Sequence, residues 1–286
     1  MNKKTISTLL IISLLFGNSI PISAAETSSE KDYYSEITYY TGEELENITP
    51  FSIDDSTVEL VAAVEQTVFV SETKNDNGEV IDSHLMNEEE VKEYRALLNS
   101  PTTCDSTYLG SDNDSKGELT ISLQVFRDEN KEFRAYGKAS WTYGIYDGNT
   151  STTPAVGDDF IALTWGGNGN LVQTSKSING TYQYSGNNIS FSRAESNSYQ
   201  GYCWQFAEKS GAYFMNNLNC YVELGRVNST LQGKETAIRL TYIHTYQSTT
   251  GTVSFSPSSA GIATSVELSS TPSSWQIEVD IPGINY

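Results

Sequence analysis

Glu118-Leu119-Thr120-Ile121-Ser122-Leu123-Gln124-Val125 changes side at every residue: Leu119, Ile121, Leu123 and Val125 fall on one face of an extended chain, Thr120, Ser122 and Gln124 on the other. Successive side chains of a strand point to opposite faces of a sheet, so this period of two specifies a strand with one apolar and one polar flank. The next segment repeats the pattern. Phe133, Ala135, Gly137, Ala139 and Trp141 stand against Arg134, Tyr136, Lys138 and Ser140, and the second set must meet water. Further strand patterns occupy 159–165, 181–184, 189–191, 202–206, 218–224, 236–246, 253–255, 262–268 and 275–281, separated by clusters of Gly, Asn and Ser that favour turns. No helical segment between them is long enough for a βαβ crossover. That predicts a mainly β protein with an antiparallel β-sandwich over 104–286, and leaves a closed β-barrel as the rival architecture. Trp165-Gly166-Gly167-Asn168-Gly169-Asn170 leads into neither a helix nor a Lys-Ser/Thr pair, so it reads as a hairpin loop rather than a phosphate cradle.

Upstream of the strands the chain is organised differently. Lys3 and Lys4, the apolar run from Leu9 to Phe16, and Ser23-Ala24-Ala25 have the three parts of a secretory signal, so residues 1–25 are expected to be removed and the rest exported. The apolar run is too short for a bilayer core of about 30 Å, and no lipidation cysteine follows it, so no stable membrane anchor is expected. Residues 26–57 are acidic, with the pairs Tyr33-Tyr34 and Tyr39-Tyr40, and read as extended or weakly ordered. Val58 to Val70, the turn sequence Asn75-Asp76-Asn77-Gly78 and Glu79-Val80-Ile81 read as a hairpin. Asn87 with Glu90 three residues on is a capping box, which predicts a helix from Glu88 to Leu98 carrying Val91, Tyr94 and Leu98 on one face. A lone short helix is marginal in water, so segment 58–103 is expected to pack on the β domain as an accessory lobe or pro-segment.

Charge narrows the partners. The chain has 36 acids and 17 Lys and Arg, net −19, and the acid excess is concentrated before Cys104. Phosphate backbones are bound by cations that release counterions, so nucleic acid is excluded as a partner, and anionic lipid is disfavoured for the same reason. Three cysteines accompany the export pattern: Cys104, Cys203 and Cys220. The expected bridge is Cys203–Cys220, if their strands form one hairpin; three buried unpaired thiols are the alternative.

The runs Lys116-Gly117-Glu118-Leu119-Thr120-Ile121-Ser122-Leu123, Phe133 to Trp141, Gly157 to Trp165 and Tyr242-Ile243-His244-Thr245-Tyr246 resemble a family of secreted β-rich proteins of Gram-positive bacteria that has no assigned function. The resemblance covers roughly 104–286 with the acidic hairpin and helix before it. It consists of strand patterns, implies export and a β fold, and carries no functional residue.

No catalytic, cofactor-binding or metal-ligating set is expected. The two histidines are His84, in a polar turn, and His244, on the strand face of Ile238, Leu240 and Tyr242, where a satisfied core histidine is the simpler reading. No Gly-x-Ser-x-Gly elbow is present. Asp158 and Asp159 open a strand and read as a solvated strand end, and Asp112-Asn113-Asp114 lacks the ligand spacing of a calcium loop. Aromatic density is the feature that points to binding. Tyr199, Tyr202, Trp204 and Tyr213 are the candidate ligand platform, and core packing of Tyr202, Trp204 and Phe206 is the competing reading. The expected function is therefore a secreted, non-enzymatic binding protein, without cofactor, that recognises a cell-wall glycan or an extracellular protein. A carboxylate-dependent hydrolase and a membrane-active, toxin-like protein, the latter from the Ser- and Thr-rich 248–259, are the alternatives.

Overall fold

The computed structural model describes residues 33–51, 58–77, 80–99, 114–128, 133–141, 157–166, 170–182, 186–207, 215–228, 235–246, 252–256, 263–269 and 273–285. The larger sheet contains β1 (Ser35–Tyr40), β2 (Val58–Lys74), β3 (Val80–Leu85), β4 (Asp114–Asp128), β5 (Phe133–Trp141), β7 (Leu171–Tyr182) and β10 (Met215–Arg226). Its order is β1-β2-β4-β5-β10-β7, all neighbours antiparallel. β3 shares the outer edge of β2 with β1: β1 pairs with Ala63–Val68 and β3 with Val70–Lys74. The smaller sheet runs β14 (Ser274–Asn285), β11 (Glu235–Thr245), β6 (Asp158–Trp165), β9 (Gly201–Ala207), β8 (Phe191–Asn197). Both sheets are open among the described residues, so the architecture is a sandwich and not a barrel.

The period-two segments form the interlayer core. Leu119, Ile121, Leu123 and Val125 of β4 and Phe133, Ala135, Ala139 and Trp141 of β5 pack against Ile161, Leu163, Leu240, Tyr242, Ile277 and Val279 of the facing sheet. β5 alternates buried and half-buried without a break, as its sequence requires. Gly137 faces the other layer: a Cβ there would lie 2.5 Å from Leu240 Cδ1 and 2.7 Å from Cys220 Sγ, so the facing leucine occupies the space of the missing side chain.

Several elements differ from the sequence expectation. Segment 58–103 supplies an internal strand of the larger sheet, because β2 pairs with β4 from Val58↔Asp128 to Thr73↔Asp114. Within 26–57, Ser35–Tyr40 is an edge strand and Gly42–Asn47 a short 3₁₀ helix. Leu171–Tyr182 is a twelve-residue strand where only 181–184 was expected, since its exposed Ser, Thr and Lys side chains hide the alternation. β6 and β7 lie in different sheets and so form no hairpin with each other; Gly167, Asn168 and Gly169 of the expected loop lie outside the described residues. The helix α1 (Glu88–Leu98) matches its capping box. Asn87 Oδ1 accepts from the amides of Glu89 and Glu90 at 3.0 and 3.1 Å, and the Asn87 amide donates to Glu90 Oε2 at 2.8 Å.

The outer faces of the two sheets are treated differently. On the smaller sheet, the hairpin of β12 (Thr252–Ser256) and β13 (Ser265–Ser269) lays Val253 and Val266 over Phe160, Ala162, Cys203 and Ile243. Arg239 pins that cover by donating to Asp280 at 2.5 and 2.8 Å and to Ser265 Oγ at 3.0 Å. On the larger sheet, α1 covers Phe69 with Met86, Val91 and Tyr94. Residues 48–51 then cross β4, where Gln124 accepts from the Phe51 amide at 3.0 Å and donates to the Thr49 carbonyl at 3.2 Å. This strap buries the flank of β4 that its sequence presents as polar: Gln124 and Ser122 are both buried.

Candidate ligand-binding face

Beyond the strap, the outer face of the larger sheet is open over β5, β10 and β7 among the described residues. Register places two rows of side chains across these three strands. One row is Lys138–Asn219–Asn179, the other Tyr136–Tyr221–Ser177. Neighbouring strands lie about 4.8 Å apart, so each row spans about 10 Å. Between the rows and Phe51 lies an open groove of about 690 Å³, within the range of about 300–1,000 Å³ that ligand pockets occupy.

The floor of the groove is aromatic and fixed. Tyr136 and Tyr221 hold their ring centroids 4.7 Å apart at 39°, and the Phe126 and Tyr136 rings meet in a T-shaped contact at 5.5 Å and 84°. The Tyr221 hydroxyl hydrogen-bonds to Glu223, which also takes the Arg134 Nε donor at 3.2 Å. Burial, and then the negative charge of Glu223, push the Tyr221 phenol well above its ordinary range, so it stays neutral. Lys138 Nζ stands 5.9 Å from the Phe51 ring centroid and provides the cation of the groove wall. Asn219 Nδ2 donates to Asn179 Oδ1 at 3.4 Å, which leaves amide donors and acceptors of both residues for a ligand.

The residues singled out from sequence fall elsewhere. Tyr202 (8 % exposed) and Trp204 (5 %) belong to the interlayer core, so the expected platform on β9 is corrected. The reason is pairing: β9 is flanked by β6 and β8, and its even-numbered side chains face the larger sheet. Tyr199 is exposed at 48 % in the turn after β8, separate from the buried pair, and Tyr213 lies outside the described residues. Tyr136 and Tyr221 carried a sequence signal of their own, because Tyr136 stands on the flank of β5 that must meet water. Their partnership depends on the β5–β10 register, which strand patterns alone do not reveal.

The Cys203–Cys220 bridge is corrected as well. Both are buried free thiols on strands of different sheets: Cys203 faces the β12–β13 cover and Cys220 the interlayer core. Burial pushes both thiols far above the usual range. Cys104 lies outside the described residues, as do Asp112 and Asn113.

At one end of the interlayer, Asp159 and His244 of the smaller sheet meet Glu72 of the larger one. His244 Nδ1 is 3.0 Å from Asp159 Oδ2 and Nε2 is 3.2 Å from Glu72 Oε1. Asp159 also accepts from the Tyr242 hydroxyl at 2.5 Å and from the Thr245 amide at 3.1 Å. Asp159 is 0 % exposed, which corrects its reading as part of a solvated strand end; its neighbour Asp158 is half-buried and accepts from Gln205 Nε2. The ring of Trp275 lies 4.9 Å from His244, and its indole N–H donates to Ser83 Oγ at 2.9 Å. Two carboxylates engage the two ring nitrogens in a site closed to solvent, so this is a polar bridge between sheets rather than the open cleft that glycoside hydrolysis needs. Among the described residues, no group of three or more His, Cys, Asp and Glu side chains is placed to hold a metal ion.

No family model matches the chain, and no curated protein matches it. Among solved structures it is similar to one from work on pH-induced modulation of Streptococcus parasanguinis adhesion by Fap1 fimbriae, at 11 % identity and TM-score 0.30, over 58 % of this chain and 80 % of that one. It is also similar to the C-terminal domain of the Streptococcus pyogenes antigen I/II-family protein AspA, at 8 % identity and TM-score 0.28, covering 65 % and 88 % of the two chains. A collagen adhesin from S. aureus matches at 10 % identity and TM-score 0.28, covering 85 % and 95 %. At these values the matches carry no residue roles, and the groove stands on its own geometry.

Proposed function

We propose that this chain is a non-enzymatic binding module of the cell exterior, and that its ligand occupies the outer face of the larger sheet over β5, β10 and β7. The observation that carries the reading is the fixed Tyr136–Tyr221 pair on the floor of an open groove, in a molecule whose other outer face is sealed by a hairpin. Half-buried aromatic rings on the floor of an open groove, beside amide groups, suit a recognition surface, since the rings supply contact area at little entropic cost and the amides supply direction. The extracellular setting is supported by the signal-like start of the chain, Lys3 to Ala25. No helix among the described residues is long and apolar enough to cross a membrane. The hydrolase alternative loses support, because Asp159, one of the two acids that open β6, is buried with Glu72 around His244 and does not face a cleft.

The test compares native protein with the double variant Tyr136→Ala/Tyr221→Ala for retention on purified Gram-positive cell walls and on immobilised extracellular matrix proteins. Native protein is retained and the variant, with an unchanged thermal melt, is not. Equal retention of the two would remove the face from the reading.

A further inference from the structure

Resting on that reading, we infer that the ligand of this face is a neutral glycan chain lying across β5, β10 and β7. Its sugar faces stack on Tyr136 and Tyr221 and its hydroxyl edge meets Lys138, Asn219 and Asn179. A pyranose has a flat face of C–H groups and a rim of hydroxyls. The groove has the complementary division side by side, with an aromatic row beside a polar row, one strand register apart. The ring faces carry the negative part of the aromatic quadrupole and attract polarised C–H groups. The neighbouring row supplies carboxamides, each both donor and acceptor, and hydroxyl groups require both roles at once.

Other ligand chemistries fit less well. An extended peptide that adds to a sheet needs free backbone groups at an edge. β5 and β10 are internal strands with neighbours on both sides, so the floor offers side chains; among the described residues, the open ladder of this face is the outer edge of β7, one strand beyond Tyr221. A polyanion needs several cations. Among the described residues, Lys138 is the one cation lining the groove, Arg134 in the adjoining row is paired with Glu223, and the chain as a whole carries −19. An amphipathic helix needs a continuous apolar trough, whereas here Asn179, Asn219, Ser177 and Lys138 interrupt the aromatic floor. Phe51, tethered to Gln124 through its amide, lines the groove beside Lys138.

The inference is tested with the full chain on an array holding neutral, uronic-acid and sulfated glycans together with immobilised collagen, followed by titration calorimetry with the best oligosaccharide. Binding to neutral glycans is expected. Tyr221→Ala and Tyr136→Ala are each expected to weaken it at least tenfold, and Asn219→Ala three- to tenfold, with thermal melts unchanged; Tyr199→Ala, off the face, leaves the affinity as it was. An array without a neutral glycan signal overturns the inference, as does binding confined to sulfated or uronic-acid glycans. Binding to collagen alone that Tyr221→Ala abolishes overturns the glycan assignment and keeps the face. Binding of any probe that survives Tyr136→Ala/Tyr221→Ala overturns both.

Discussion

Tyr202 and Trp204 hold their ring centroids 4.6 Å apart at 48°; Tyr136 and Tyr221 hold theirs 4.7 Å apart at 39°. The first pair is core and the second is surface. Tyr202 and Trp204 are two residues apart on one strand and turn the same flank inward, so they are conspicuous in sequence and fill the space between sheets. Tyr136 and Tyr221 are far apart in the chain and meet only because β5 pairs with β10. Ring geometry therefore does not distinguish packing from recognition. What lies over the rings does: a second sheet in one case, an open groove in the other.

The largest effects should come from the sealed side. Trp204→Ala is expected to cost about 3–5 kcal/mol in urea unfolding, through lost burial and the cavity left behind. Tyr136→Ala, by contrast, should cost under about 1 kcal/mol. Equal costs for the two would erase the distinction between core and platform. The interlayer bridge follows the same rule. His244→Ala leaves Asp159 and Glu72 without the imidazole between them and is expected to cost about 3–5 kcal/mol, read from the same unfolding curves.

The other histidine gives the exposed counterpart. His84 also stands between two carboxylates, Asp82 at 2.9 Å and Glu90 at 3.1 Å, but at the surface, where such pairs contribute about 0.2–1 kcal/mol. Burial alone would lower the His84 pKa; the hydrogen bonds and charges of Asp82 and Glu90 outweigh it and raise it above 6.5. Burial would raise Glu90, while the Asn87 amide and His84 bring it below 4.5. A raised histidine stabilises fully below its unfolded value and loses that contribution as pH rises through its folded value. A lowered carboxylate stabilises above its unfolded value and loses the contribution as pH falls through its folded value. The His84 contribution should thus be complete between about pH 4.5 and 6.5 and fade on both sides. His84→Gln should remove that bell from the difference curve of stability against pH, and an unchanged curve would dissociate His84 from α1. Smallest of all, Tyr199→Ala should stay within about 0.5 kcal/mol of native stability.

Much of the fold was legible because its decisive strands alternate cleanly. β4, β5 and the odd-even division of β9 are written in local sequence, as are the cap at Asn87 and the turn after Lys74. β7 was not, because an edge strand whose side chains are mostly wet needs no apolar partner at alternate positions. The burial of Gln124 was not either, since the strap that covers it comes from 75 residues upstream. Asp159 looked solvated because its charge compensation arrives from His244, Tyr242 and Thr245, all more than eighty residues away. The groove is illegible for the same reason: long-range register, rather than any motif, assembles Lys138, Asn219, Asn179 and the two tyrosines.

Cys203 and Cys220 turn the layered build into a pair of clocks. Only a thiolate is alkylated, and neither thiol forms one while shut inside, so labelling waits for the protein to breathe. Lifting of the small hairpin would admit reagent to Cys203 alone, whereas Cys220 reacts only when the two sheets part. Iodoacetamide labelling followed by peptide mass mapping would time the two events separately in one untagged sample.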